Sequence, residues 1–204
     1  MYDNLTCHQL DENHQFWIGN LPDDLHLTPA GFDILWDMHP CKFHEIKIYG
    51  RLVKTPRWQQ AYGINYQYTG RINKALPIPL LLEPLFQWSK ANIDNRLNGI
   101  LLNWYDGKLH HCIGKHRDST INILNGAPIV TISFGEERIF RLRPWKEEGY
   151  QDFMTKHGCV FVMPYETNKA WTHEVPLLKK YQRQRISITL RAFNVTSHDL
   201  ASSS

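Results

Sequence analysis

A chain of 204 residues is long enough for one domain that buries most of its apolar surface without disulfides or a structural metal. With 42% apolar and 21% charged residues it is too apolar to be disordered. The net charge of +3 permits attraction to phosphates without the strong basic excess of many nucleic-acid binders.

Cys7, Cys41, Cys112 and Cys159 are far apart and form no C-x-x-C, which argues against a zinc knuckle and a dense disulfide framework. No run of about 18 apolar residues occurs. The start, MYDNLTCHQLDENHQ, lacks the order of a secretory leader. An intracellular chain, in cytoplasm or nucleus and with no membrane partner, is expected.

Turn signals at Gly19-Asn20 and Leu21-Pro22-Asp23-Asp24 precede a helix predicted over Thr28–Met38, with Thr28 as N-cap and Pro29 in the first position. Arg51–Gly70 alternates basic and aromatic residues around glycines and reads as short strands and loops. Leu81, Leu85, Trp88 and Ile93 give Leu80–Asn95 helical spacing. Then NGILLNWY, CIGKHRD, PIVTISFG, RIFRLRP, CVFVMP and RISITLRAF follow one another between turns, which argues an antiparallel sandwich or barrel of jelly-roll type. The fold class is therefore α+β, mainly β. PIVTISFG and RIFRLRP, parted by Glu136-Glu137, read as a hairpin, and the Ser-rich end as a frayed tail.

In an extended segment His116 and Asp118 project from one face and can converge on a metal. Two histidines and one carboxylate leave open positions on iron(II), as oxygen activation requires. His157 and His173 both follow in order. His157 precedes Gly158 as a polar turn residue would, so His173 is the chosen third ligand. In RISITLR the polar face carries Arg185, Ser187, Thr189 and Arg191. On the outside of a sheet this would be a solvated face; inside a barrel the two guanidinium groups suit a dicarboxylate. Asn103 and Tyr105 likewise share a face, either for the same acid or as a backbone-satisfying amide and a wetted core aromatic.

The joint order N-x-Y (Asn103, Tyr105), H-x-D (His116, Asp118), His173 and R-x5-R (Arg185, Arg191) resembles the AlkB family of iron(II)/2-oxoglutarate dioxygenases, over roughly residues 55–193. The resemblance implies a double-stranded β-helix that uses Fe(II), 2-oxoglutarate and molecular oxygen. It implies metal ligation by His116, Asp118 and His173. It places Arg185 and Tyr105 at the distal carboxylate of 2-oxoglutarate, and Arg191 and Asn103 near the chelating one. It also implies one domain over 1–204: an N-terminal extension and helix (1–50), a substrate lid (51–79), a helix and jelly-roll core (80–195) and a flexible tail (196–204).

Within the lid, Arg57, Gln59, Tyr62, Tyr66 and Tyr68 resemble the residues with which the DNA-repair branch holds an unstacked nucleobase. The tyrosines read equally as cross-strand packing pairs. Arg117 and Ser119 complete the expected substrate contacts. The implied activity is oxidative demethylation of alkylated bases in DNA or RNA by a monomer. The alternative is hydroxylation of a nucleotide, a small metabolite or a protein side chain. One departure stands out: Ser119 and Thr120 occupy positions where repair members carry acidic residues, and a hydroxyl lacks the full charge a cationic base prefers.

Overall fold

The computed structural model describes residues 2, 4–48, 50–68 and 71–194, with the side chains of Lys47, Ile48, Gln67, Tyr68 and Arg71 outside that description. The expected tail at 196–204 also lies outside the described residues. No helix among the described residues is long and apolar enough to cross a membrane.

β1 (Leu5–Gln9) and β2 (Gln15–Asn20) form a hairpin whose turn is shaped by Asp11, a carboxylate that accepts the N–H groups of Asn13 and His14. α1 (Pro29–Asp37) begins as its sequence predicts: Thr28 is extended, its hydroxyl accepts the Gly31 N–H at 3.1 Å, and Pro29 fills the first turn. The hairpin β3 (Glu45–Ile48) and β4 (Arg51–Lys54) follows, then β5 (Trp58–Tyr62), the short pair β6 (Tyr66–Tyr68) and β7 (Arg71–Asn73), and β8 (Ala75–Leu76). A 3-10 turn at Leu80–Leu82 leads into α2 (Glu83–Asn92).

The strands β9 (Gly99–Asp106), β10 (Ile113–His116), β11 (Ile129–Gly135), β12 (Arg138–Pro144), β13 (Gln151–Thr155) and β14 (Cys159–Met163) come next. A short α3 (Tyr165–Ala170) precedes β15 (Trp171–Val175) and β16 (Gln184–Arg191). One sheet has the order β1-β2-β14-β11-β16-β9-β5-β8, the other β10-β15-β12-β13. All pairs are antiparallel except β5 with β8. This is the jelly roll that the succession of strands predicts, in the double-stranded β-helix form that the family resemblance implies.

Both faces of the larger sheet are buried at its central strands, β9, β11, β14 and β16, which is why these read as nearly continuous apolar runs. Its outer face packs Leu102, Trp104, Ile132, Ile186 and Ile188 against Leu35 and Trp36 of α1 and Leu85 and Phe86 of α2. Trp104 donates to the Leu35 carbonyl at 2.8 Å and so pins α1 to β9. The inner face, with Leu101, Tyr105, Ile129 and Phe161, meets Phe140, Leu142 and Val175 of the smaller sheet. Each large side chain buried this way contributes about 1.5–3 kcal/mol.

One expectation needs correction. β11 and β12 are not a hairpin: β11 pairs with β14 and β16, and β12 with β13 and β15, in different sheets. Gly135, at φ +87°, turns the chain from one sheet to the other, and a Cβ there would come within 2.4 Å of the Gln184 carbonyl. β5, within the segment 51–79, pairs along β9 in the larger sheet and so brings Gln59 to the sheet's inner face.

Candidate metal centre

β10 and β15 pair so that His116 lies directly opposite His173, with ring centroids 4.2 Å apart. Asp118 lies two residues beyond the end of β10, so strand alternation alone does not aim it. Asn168 of α3 does, accepting the Asp118 N–H and donating to its carbonyl, both at 3.0 Å. Asp118 Oδ1 then stands 3.7 Å from His116 Nε2 and 3.9 Å from His173 Nε2. One donor atom from each of the three residues falls within 4.8 Å of the others.

The other carboxylate oxygen, Oδ2, accepts from Arg191 Nη2 at 2.6 Å and Nε at 3.0 Å. Burial alone would raise the Asp118 carboxyl; Arg191, His173 and His116 outweigh it and hold the group far below the ordinary carboxylate range. Burial, reinforced by His116 and opposed by Asp118, pushes His173 down to about 3. Burial also lowers His116. Both imidazoles are thus neutral and the carboxylate ionised, the protonation state a divalent metal requires of its ligands. His116 Nδ1 lies 2.8 Å from the Gly114 carbonyl, which can only accept, so the proton sits on Nδ1 and the Nε2 lone pair faces Asp118.

Behind these groups lies a cavity between the sheets, lined by Asn103, Tyr105, Arg185 and Arg191 as well as by the three candidate ligands. The polar face of β16 therefore points inward. Arg185 is 1% exposed; Nη2 donates to Ser133 at 2.8 Å, while Nε and Nη1 have no hydrogen-bond partner among the described residues. A buried guanidinium with unmet donors has the chemistry to pair with a carboxylate. Tyr105 lies beneath it, its ring centre 5.1 Å from the guanidinium carbon. Asn103 Oδ1 accepts from Arg57 Nε at 2.8 Å. Arg57, Gln59 and Tyr66 line the same cavity.

Other expected substrate residues are elsewhere. Tyr62 packs on the outer face of the larger sheet with Leu82 and Leu85, because three positions separate it from Gln59 and an odd step in a strand reverses the face. Arg117 turns away from the cavity, stacking over Trp145 at 3.9 Å and donating to the Lys169 carbonyl. Ser119 is half-buried outside the cavity lining, where its hydroxyl meets the Ile121 N–H at 3.5 Å. The Tyr68 side chain, with Thr69 and Gly70, lies outside the described residues. His157 is a turn residue, bonded to the Gly135 N–H and the Leu27 carbonyl.

Sequence reasoning missed Asn168, Phe140 and Arg138. Phe140 stacks on His173 with centroids 5.4 Å apart. Arg138, 1% exposed, pairs with Glu136 at 3.2 Å and sits 5.7 Å from the Tyr105 ring centre. The alternation Arg138, Phe140, Leu142 marks one inward face and was the available signal.

Two neutral imidazoles and one carboxylate, with an open side toward a buried guanidinium, fit an iron(II) centre that binds a dicarboxylate beside it. The comparisons agree. Residues 38–191 match the family model described as the 2OG-Fe(II) oxygenase superfamily. DNA oxidative demethylase ALKBH2 of Homo sapiens is 28% identical over 162 residues, 74% of this chain and 62% of that protein. Its Arabidopsis thaliana namesake is 28% identical over 192 residues, 78% of this chain and 60% of the relative. The chain thus spans less than two thirds of the length of these relatives. The solved structure of OsALKBH1 superposes with a TM-score of 0.58 at 14% identity, covering 91% of this chain and 99% of that one, a likeness of fold. With the matched region containing all three candidate ligands and both inward arginines, the chain belongs to the 2OG-Fe(II) oxygenase superfamily.

Proposed function

We propose that this chain is an iron(II)- and 2-oxoglutarate-dependent oxygenase that demethylates alkylated nucleobases in DNA or RNA. The observation that carries the reading is the meeting, in one cavity, of the His116–Asp118–His173 donor set with the buried Arg185. The relatives named DNA oxidative demethylase support the substrate class.

When bound, iron and 2-oxoglutarate supply the oxidation: one atom of dioxygen enters succinate as carbon dioxide leaves, and the other enters an N-methyl C–H bond, giving an N-hydroxymethyl group that loses formaldehyde. The protein's own residues do the positioning. His116 and His173 offer Nε2 and Asp118 offers Oδ1, while Arg191 fixes the second carboxylate oxygen so that it cannot rotate into the site. Arg185 takes the distal carboxylate of 2-oxoglutarate in a charge-assisted bond, and Tyr105 shields that bond from water. Ile113, Phe140, Phe161 and Met163 keep the cavity apolar around the reacting carbon. Tyr66 and Gln59 are placed to meet a base that has left its stack.

The test is formaldehyde release from methylated oligonucleotides by iron-loaded protein, matched to succinate formed. Succinate that tracks a metabolite or peptide and never an oligonucleotide would replace the nucleobase reading with that of a hydroxylase.

A further inference from the structure

The charges lining the cavity are unbalanced. Three guanidinium groups, Arg57, Arg185 and Arg191, face it, and among the described residues the lining holds one carboxylate, Asp118. That carboxylate is committed to Arg191 through Oδ2 and to the ligand cluster through Oδ1. Arg57, 7% exposed, has no carboxylate within ion-pair distance among the described residues; its Nε is held by the neutral amide of Asn103. Neighbouring acids are turned elsewhere. Glu174, next to His173, is on the other face of β15 and pairs with Arg143 at 2.9 Å. Ser119, directly after Asp118, is neutral and outside the lining. A metal dication and the 2-oxoglutarate dianion cancel each other, so the positive excess persists in the loaded site. An uncompensated guanidinium in a low-dielectric cavity repels a second cation and favours a carbonyl acceptor.

Resting on the nucleobase reading above, we propose that the site selects N-methylated bases that are neutral, of the N3-methylthymine type with carbonyls flanking the methylated nitrogen, over bases that methylation renders cationic, of the N1-methyladenine type, and that Arg57 is the residue that enforces the choice. Its guanidinium offers donors to a base carbonyl, where a carboxylate at the same place would instead attract the charged ring.

The test compares formaldehyde release from two oligonucleotides that differ only in carrying N3-methylthymine or N1-methyladenine, with kcat/KM as the readout. The neutral base is expected to be favoured at least tenfold, and anaerobic binding of the two oligonucleotides to protein loaded with iron and 2-oxoglutarate to follow the same order. Arg57→Gln, which removes the charge, should shift the ratio by roughly tenfold toward the cationic base. Arg57→Lys, which keeps the charge and loses the Asn103 geometry, should lower both activities and leave their ratio intact. A wild-type preference for the cationic base, or a ratio unmoved by Arg57→Gln, overturns the proposal while leaving demethylation standing. Succinate formation without formaldehyde from either oligonucleotide overturns the nucleobase reading and this proposal together.

Discussion

Asn168 grips Asp118 by both of its backbone polar groups, across 50 positions of sequence. Asn168 is 1% exposed and stands five residues before His173, so one amide ties the segment bearing the carboxylate to the strand bearing the second imidazole. Asn168→Ala should therefore weaken metal binding by about 10–100-fold, the usual effect of removing a group that orients a ligand. It should also destabilise the metal-free chain by about 1–3 kcal/mol, since buried backbone groups lose their partners. Cobalt(II) titration followed by absorption, alongside thermal unfolding of metal-free protein, separates the two effects. Unaltered metal affinity with a lowered Tm would reduce Asn168 to a structural residue.

What the sequence made legible was whatever strand alternation encodes. RISITLR declares two faces, and Arg185 and Arg191 do share one cavity with Asn103 and Tyr105. Alternation also carried the answer for Tyr62, whose odd spacing from Gln59 on β5 denies it the same face. Pairing partners were not legible. PIVTISFG and RIFRLRP have the composition of a hairpin, yet β11 lies in one sheet and β12 in the other, a choice made by tertiary packing. Nor could Asn168 be found, because nothing local distinguishes an asparagine that satisfies a distant backbone from one at a helix surface.

Asp118 and Arg191 form a buried ion pair as well as a ligand support, with side chains 3% and 5% exposed. Removing one member of such a pair strands the other charge, which costs about 3–5 kcal/mol. Asp118→Ala should thus destabilise metal-free protein by that amount, whereas His116→Ala, which strands no charge, should cost on the order of 1 kcal/mol. Both should abolish turnover. Urea unfolding of the metal-free variants reads the difference, and equal losses would mean that the pair contributes little.

Arg185 is predicted to trade stability for binding. Its Nε and Nη1 are buried without partners among the described residues, so Arg185→Met should leave metal-free protein as stable or more stable, by up to about 1–2 kcal/mol. The same change should raise the KM for 2-oxoglutarate by about 10–100-fold through loss of a charge-assisted bond. Added 2-oxoglutarate should then raise the Tm of wild type and not of the variant. A normal KM would reassign the distal carboxylate to another group.

Tyr62 and Tyr66 differ by face, and their variants should differ likewise. Tyr62→Phe alters a side chain packed behind the larger sheet and should leave kcat/KM on oligonucleotides within about twofold. Tyr66→Ala removes a ring from the cavity lining and should lower it by about tenfold or more, in the range of one lost base-stacking contact. Steady-state kinetics on one methylated oligonucleotide decides. Equal losses in the two variants would return Tyr62 to the substrate.

Acid should unfold the metal-free protein through its ligand histidines. An unfolded imidazole titrates near 6.5, while burial holds His173 at about 3 and lowers His116 as well. Between those values the unfolded chain binds protons that the folded chain refuses. Stability is therefore fully present above about pH 6.5 and falls as the pH drops toward 3, by up to about 1.4 kcal/mol per pH unit for each such imidazole. The Asp118 carboxyl, depressed mainly by Arg191 against the opposing effect of burial, adds a further loss below about pH 4, where the unfolded carboxylate begins to protonate. His173→Gln should flatten the profile between pH 6.5 and 4 and leave the steeper loss below it. Urea midpoints measured from about pH 8 to 3 on metal-free wild type and variant test this, and parallel profiles would show that His173 takes up its proton without unfolding.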